Sequence, residues 1–504
     1  MSDLAQSGEA RETQAPQDDP SSEATAFHDG FCDPARRKRV LWAAILASSL
    51  GFIDGSVVSI ALPAMRETLG ASLGQAIWFS SAYLLTLTAL ILTGGALGDR
   101  FGLGRVFGGG ITLFVLASMA CAAAPSAESL IAARAIQGIG AAFMVPGSLA
   151  VLNRAFPKEE RGAAIGFWAG ISALTTALGP IIGGLALTFG GPEMWRAVFA
   201  VNLPFGGLAL WLLFSALKRD DSRSRAPVDL PGVLTATAAL LLMAWSLSGA
   251  EHDGTVHGLG LVAGCALLGL FILIEKRSAH PMVPLSLFAN RTFAMTNLYS
   301  LVIYGALAAV FFFLPMVLIA LWETTEIITA AMFAPLSVFI AALSGRAGKW
   351  AGKIGPRPFL ALGAASIAIG YVLLWWAAPA QALWSGAFVA MCFIGLGMAL
   401  LVAPLSTAIM ASVPEASGGT ASGVNNAISR MASMMGIASF GALAAVMYHR
   451  AGGALSFAAA GGDELHIAQS TMAFQTIMLT AAALAALACL TALLALPGKA
   501  TARI

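Results

Sequence analysis

An aspartate stands in the middle of an apolar run: Asp54 lies about fourteen residues into the stretch near 40–62. An ionised carboxylate at that depth of a membrane helix is costly, and desolvation favours the neutral acid, so residue type and position suit a proton carrier. The plainer alternative is an acid permanently paired with a cation. Arg134, in the run near 130–152, is the obvious partner; it either reaches Asp54 or snorkels to the outer face. In a later run near 420–447, Asn425, Asn426 and Arg430 stand among Ala, Ser and Met. Polar side chains there face a bundle interior, where they line a substrate path or hydrogen-bond neighbouring helices. Met431, Met434 and Met435 on the same stretch offer an adaptable apolar surface or plain helix packing. Glu323 and Glu326 fall between runs and are expected to be solvated.

Other chemistry finds no residues to carry it. No GxxxxGK[ST] occurs, which removes ATP hydrolysis as an energy source within this chain. Gly258-x-Gly260 with Gly264 lies inside an apolar run with no strand before it, so it is not a dinucleotide fingerprint. No HExxH or acidic metal cluster is present, and the six His residues mostly lie in the tail and loops, out of reach of a Ser/His/Asp set. Cys32, Cys121, Cys265, Cys392 and Cys489 are scattered singly. No enzyme, metal site or cofactor is expected.

The elements that must position these residues follow from composition. Of 504 residues, 58% are hydrophobic and 11% charged, against roughly 25% charged in soluble proteins, with a mean hydropathy of +0.81. Apolar runs of about twenty residues, the length that crosses about 30 Å of hydrocarbon, alternate with short polar breaks. The fold class is an all-α, polytopic membrane protein. A net charge of +2 implies no long-range pull on nucleic acid.

The runs number about fourteen: six between 40 and 217, a central pair near 230–250 and 258–275, and six between 293 and 496. Lys and Arg gather on alternate connections. Arg36–Arg39, Arg100 and Arg105, Arg154, Lys158 and Arg161, the 218–225 cluster, Lys276, Arg277 and Arg291, and Arg346 to Arg357 share one side. The other side carries little more than Arg66, Arg196 and Arg450. This distribution places both termini in the cytoplasm. Residues 1–35 have no apolar stretch and read as a disordered cytoplasmic tail, and 497–504 as a short C-terminal one.

The chain also repeats itself. Gly95, Arg100 and Gly102 in the second connection map onto Gly348, Lys353 and Gly355 in the tenth at one constant offset, and Gly138-Ile-Gly140 matches Gly395-Leu-Gly397 slightly further on. Two six-span units in the same orientation, 36–217 and 293–496, with an inserted pair and its linkers over 218–292, fit a parallel-repeat transporter with its site between the halves.

These residues resemble the major facilitator superfamily and, within it, the 14-span drug:proton antiporter family. Gly95-x-Leu97-x-Asp99-Arg100-x-Gly102 is similar to the superfamily signature between spans 2 and 3, with Leu103-Gly104 replacing the usual basic pair and one positive charge at Arg105. Ile53-Asp54-x-Ser56-Val57-Val58 through Pro63 resembles the span-1 motif, and Arg134-x-x-Gln137-Gly138-x-Gly140 the span-4 motif. Gly179-Pro180-x-x-Gly183-Gly184 resembles the span-5 exporter motif, with Thr175 in place of its first glycine. Trp195-Arg196, Asn202-x-Pro204 and Asp229-x-x-Gly232 look like 14-span members in particular.

The resemblance implies a major facilitator fold of two six-helix bundles plus two inserted helices in a cell (inner or plasma) membrane. It implies export of small amphiphilic compounds in exchange for protons. Asp54 and Arg134 would couple the proton. Gly95, Asp99, Arg100, Gly102 and Arg105 would latch the cytoplasmic side, and Gly179, Pro180, Gly183 and Gly184 would shape span-5 packing. Gln137, Asn425, Asn426 and Arg430 are candidates for the substrate path. A proton-coupled importer or uniporter is the next reading, then a channel or membrane sensor on the same fold. Sequence does not name the compound, or settle whether a periplasmic adaptor is needed.

Overall fold

The computed structural model describes residues 31–217, 229–248, 254–414, 417–461 and 463–496. Among them, apart from one isolated bridge between Cys32 and Leu217, the chain forms helices and their connections. The first six rods are α1 (Arg37–Thr68), α2 (Leu73–Phe101), α3 (Leu103–Ala122), α4 (Ala127–Ala155), α5 (Lys158–Gly190) and α6 (Pro192–Ala216). The inserted pair is α7 (Leu230–Ser248) and α8 (Gly254–Arg277). The last six are α9 (Arg291–Ala320), α10 (Glu326–Ile354), α11 (Arg357–Ala377), α12 (Leu383–Ala411), α13 (Gly418–Arg450) and α14 (Glu464–Ala495).

Among the described residues, twelve of these are long and apolar enough to cross a bilayer, and α1, bent by 46° between Gly55 and Val57, makes a thirteenth. The 33-residue α5 has a shorter apolar stretch, Gly179–Gly190, so fourteen rods are present, of which up to thirteen are long and apolar enough to span. The bend in α1 falls on a Gly-Ser pair, a sequence that lets a helix ladder open. Helix starts are fixed locally. Ser72 and Gln75 form a reciprocal capping box, the Asn290 carboxamide accepts from the backbone of Thr292 and Phe293, and Asp463 accepts from His466.

The repeat seen in sequence is a repeat of packing. In the first six rods α4 packs on α2 and α3, and α1 on α5 and α6; in the last six α12 packs on α10 and α11, and α9 on α13 and α14. The glycines do the same work in both. Gly102 and Gly355 each turn the chain at positive φ, +95° and +96°, where other residues are strained. Gly138 lies against the backbone of Tyr83 on α2 as Gly395 lies against that of Leu336 on α10. Gly140 and Gly397 likewise let α4 and α12 touch the backbones of α3 and α11. The two sets meet through α1 with α9, α2 with α13 and α5 with α10, an arrangement with approximate two-fold symmetry.

α7 covers the seam where α2 meets α13, and α8 packs on α7. Leu259, Val262 and Leu273 of α8 remain exposed, as a helix turned to lipid requires. The segment ahead of α1 begins docked rather than free. Phe31 and Cys32, placed in the tail by sequence, are buried, and the Arg154 guanidinium lies 5.1 Å from the Phe31 ring centroid. Two apolar side chains fix this end of the chain to the base of α4.

The close approach at Gly138 generates a prediction. Valine there would press on Tyr83 and Thr86, and overpacking of this kind costs about 1–3 kcal/mol. Gly138→Val is expected to lower the thermal unfolding midpoint in detergent, whereas Gly109→Ala, at a glycine with open space around it, is expected to leave it unchanged.

Candidate functional site

Asp54 ends the straight first part of α1, immediately before the bend, and is buried. Arg134 and Gln137 stand three apart on α4, hence on one helix face. That face meets Asp54. Arg134 Nη1 donates to Asp54 Oδ2 at 2.6 Å and to Gln137 Oε1 at 2.6 Å, while Gln137 Nε2 donates to Asp54 Oδ1 at 2.9 Å. Arg134 Nε donates to the Phe79 carbonyl of α2 at 2.9 Å, and the Cys121 thiol of α3 donates to Gln137 Oε1 at 3.6 Å. The guanidinium lies 4.4 Å from the Tyr83 ring centroid and 5.6 Å from that of Phe199. Both carboxylate oxygens are thus engaged, and the cation is enclosed by acceptors and aromatic faces. Exposure is 2% for Asp54 and Arg134 and 0% for Gln137.

The two alternatives for Arg134 are therefore separated: it does not snorkel. Gln137, expected among residues lining a substrate path, sits instead inside the ion-pair network. Its carboxamide orients the pair.

The polar residues of α13 divide by face. Asn425 Nδ2 donates to Asn297 Oδ1 at 3.1 Å and Ser300 Oγ at 2.7 Å on α9, so it joins two helices of the same half. Met431, Met434 and Met435 pack with Trp78 and Leu85 of α2 and Leu240 of α7, which makes the methionine stripe a seam between elements. Asn426 and Arg430, one turn apart, share a third face and are half-buried.

Gly102 is buried at its turn, whereas Arg100 and Arg105 are exposed, with the Arg100 guanidinium 5.3 Å from the Phe101 ring centroid. The surroundings of Gly95 and the side chain of Asp99 lie outside what is described. Gly179 and Pro180 are buried within α5. Gly183 faces Val57 of α1, while Gly184 faces α10, where an added Cβ would stand 2.8 Å from the Glu326 carbonyl. The glycine pair thus brings α5 against both halves at once.

The two halves are bridged at one end of the bundle. The α1–α2, α5–α6, α9–α10 and α13–α14 connections gather there. Arg66 donates to the carbonyls of Phe457 and Ala458 and to Ser456 Oγ at 2.8, 3.2 and 2.6 Å, spanning the two halves. Thr188 Oγ1 of α5 donates to Glu326 Oε2 of α10 at 3.0 Å and accepts from the Ile327 amide. Glu326 is therefore not the solvated acid expected from sequence: its place at the start of α10 puts it on α5. One buried apolar cluster runs from α9–α14 into the ends of α1, α2 and α4 on this face, while a second, nearer the opposite face, is built by the first six rods. A cleft of about 790 Å³, lined by Arg66, Glu67, Gln75, Glu323 and Ser456, lies at this same end. Arg66 stood out in sequence only by its side of the membrane, and Tyr83 not at all; its signal was a phenol within a membrane run.

A family model described as Major Facilitator Superfamily matches residues 44–439. The chain belongs to that superfamily, whose members are transporters and not enzymes. Its curated relatives are drug-resistance and export proteins. It is 30% identical over 412 residues to the multidrug resistance protein Stp of Mycobacterium tuberculosis, covering 80% of this chain and 75% of that one. It is 33% identical over 418 residues to the puromycin resistance protein pur8 of Streptomyces alboniger, covering 81% of each. Among solved structures, the D-xylose-proton symporter aligns with a TM-score of 0.62 at 16% identity, over 91% of this chain and 98% of that one. A bacterial homolog of the lysosomal transporter Spinster aligns at 0.64 and 16%, over 91% and 97%. These last two likenesses show the fold.

Removing one member of a buried ion pair leaves the other charge uncompensated, at a cost of about 3–5 kcal/mol. Arg134→Ala is expected to destabilise the protein by that order. The double variant Asp54→Leu/Arg134→Met, which removes both charges, is expected to unfold in detergent at a higher temperature than Arg134→Ala.

Proposed function

We propose that the chain is a secondary active exporter that moves small amphiphilic compounds out of the cell in exchange for protons. The buried Asp54–Arg134–Gln137 network carries this reading. A proton reaching Asp54 cancels the charge that holds Arg134 and turns the strongest contact of the network into a weak one. The guanidinium is then free to re-pair, and α1 and α4 can shift at the bend beside Asp54. A chemical event at one atom is thereby tied to the relative position of helices.

The two six-helix sets, 36–217 and 293–496, act as bundles that rock about the central contacts, with α7 and α8 as a flank. Taking the face bridged by Arg66, Thr188 and Glu326 as the outer side, the substrate path opens toward the cytoplasm. Rocking breaks these contacts and closes the side bearing Arg100 and Arg105, where Asp99 and its glycines form the latch. Gly184 sets how closely α5 and α10 approach on the outer side. Both termini are cytoplasmic, because the basic connections share their side of the membrane.

In inside-out vesicles with an imposed pH gradient, Asp54→Asn is expected to stay folded and to bind ligand, yet to lose gradient-driven accumulation of compounds that the parent accumulates. Undiminished accumulation in the Asn variant would move proton coupling to another residue. Orientation has its own check. Epitope tags in the connections between α7 and α8 and between α13 and α14 are expected to be labelled from outside intact cells, and labelling of either only after permeabilisation would contradict the topology.

A further inference from the structure

α13 carries a second cation inside the membrane. Arg430 is the thirteenth of its 33 residues. At about 1.5 Å per residue it stands roughly 18 Å from the helix start. It is half-buried, and among the described residues it makes no ion pair and no hydrogen bond. Among the described residues no acid pairs with it. The described acids of the second half, Glu323, Glu326, Asp463 and Glu464, all lie at helix ends or in connections. In the first half Asp54 already spends both oxygens on Arg134 and Gln137. Around this point two guanidiniums stand against one carboxylate, in a medium where a lone cation is costly.

The surroundings are unspent donors. At this level α13 packs its methionines on Trp78 and Leu85 of α2 and meets α9 through Asn425 with Ser300 and Ala432 with Gly305, so Arg430 sits where the two halves face one another, in the stretch that carries Tyr83 on α2 and Tyr304 on α9. Neither phenol makes a hydrogen bond among the described residues, and neither does the Asn426 amide one turn away on the same face of α13. The other two faces of α13 are occupied by the Asn425 contact to α9 and the methionine seam.

We propose that Arg430, with Asn426 and the hydroxyls of Tyr83 and Tyr304, receives an acidic group of the transported compound, and hence that the substrates are amphiphiles bearing a carboxylate or a comparable anion. A guanidinium presents paired N–H donors that match a carboxylate, and charge-assisted hydrogen bonds are at their strongest away from water. The same excess of positive charge works against cationic compounds. This deepens the export reading and rests on it only in taking the space between the halves as the substrate path.

The test uses a matched pair of probes, 4-heptylbenzoate and 4-heptylbenzamide, which share a tail and differ in charge. Binding to the purified full-length protein in neutral detergent is measured by equilibrium dialysis against protein-free micelles. The parent is expected to bind the acid at least about tenfold more tightly than the amide, a difference of about 1.4 kcal/mol. Arg430→Gln is expected to abolish that preference while leaving amide binding in place, and Arg430→Lys to keep part of it. Equal binding of both probes by the parent would overturn the proposal, as would a preference that survives in Arg430→Gln. Loss of both probes together in that variant would assign Arg430 a structural role and also overturn it. Asp54→Asn is expected to retain the acid preference. A preference that depends on Arg430 in a protein showing no proton-driven export would uphold this inference while refuting the exporter reading.

Discussion

A charge buried in a membrane must find all its partners inside the protein, because the bilayer supplies none. The structure turns on that constraint at Asp54. The carboxylate is held by Arg134 and Gln137, Arg134 is held in turn by the Phe79 carbonyl and the Tyr83 ring, and Gln137 also accepts from Cys121. Four helices, α1 to α4, therefore contribute to one ion pair. A pair so completely satisfied locks the first half in place. It is also the place where adding a single proton changes most, since both of its strong contacts depend on the negative charge.

The rest of the architecture gives such a change somewhere to go. The halves repeat each other in sequence, in glycine contacts and in helix packing, so neither has a preferred partner face that the other lacks. At one end of the bundle the halves share an apolar cluster and are bridged by the polar contacts of Arg66, Thr188 and Glu326. Hydrogen bonds to charged groups contribute about 1.5–3 kcal/mol each. Two units joined by contacts of this size suit alternating access. α7, wedged over the α2–α13 seam, closes one side of it to lipid and packs into it through Leu240 and Leu247.

Much of this was legible in the residues. Apolar run length and the Lys/Arg alternation give the rods and their order, because hydrocarbon thickness sets both. The repeat is visible because Gly102 and Gly355 answer to the same positive-φ turn, and Gly138 and Gly395 to the same backbone contact. Asp54 and Arg134 stand out because ionisable residues are rare at that depth. What sequence hides is rotation. Gln137 faces the ion pair and not a substrate, Asn425 faces α9 and Arg430 the interior, although all lie in similar apolar stretches. A helix has no strong amphipathic signal when lipid and protein neighbours are equally apolar, so the hydrophobic period says little about facing. Glu326 escaped for a related reason: its place at a helix start says nothing of the helix packed beside it.

The protonation state of Asp54 is the centre of this picture, and infrared difference spectroscopy on the reconstituted protein reads it directly. Lowering the pH across the range in which transport operates is expected to produce the carbonyl band of a buried, protonated carboxylic acid. That band is expected to be absent in Asp54→Asn and present in Asp99→Asn. A spectrum with no such band in the parent, or one whose band persists unchanged in the Asp54→Asn variant, would contradict proton carriage by Asp54.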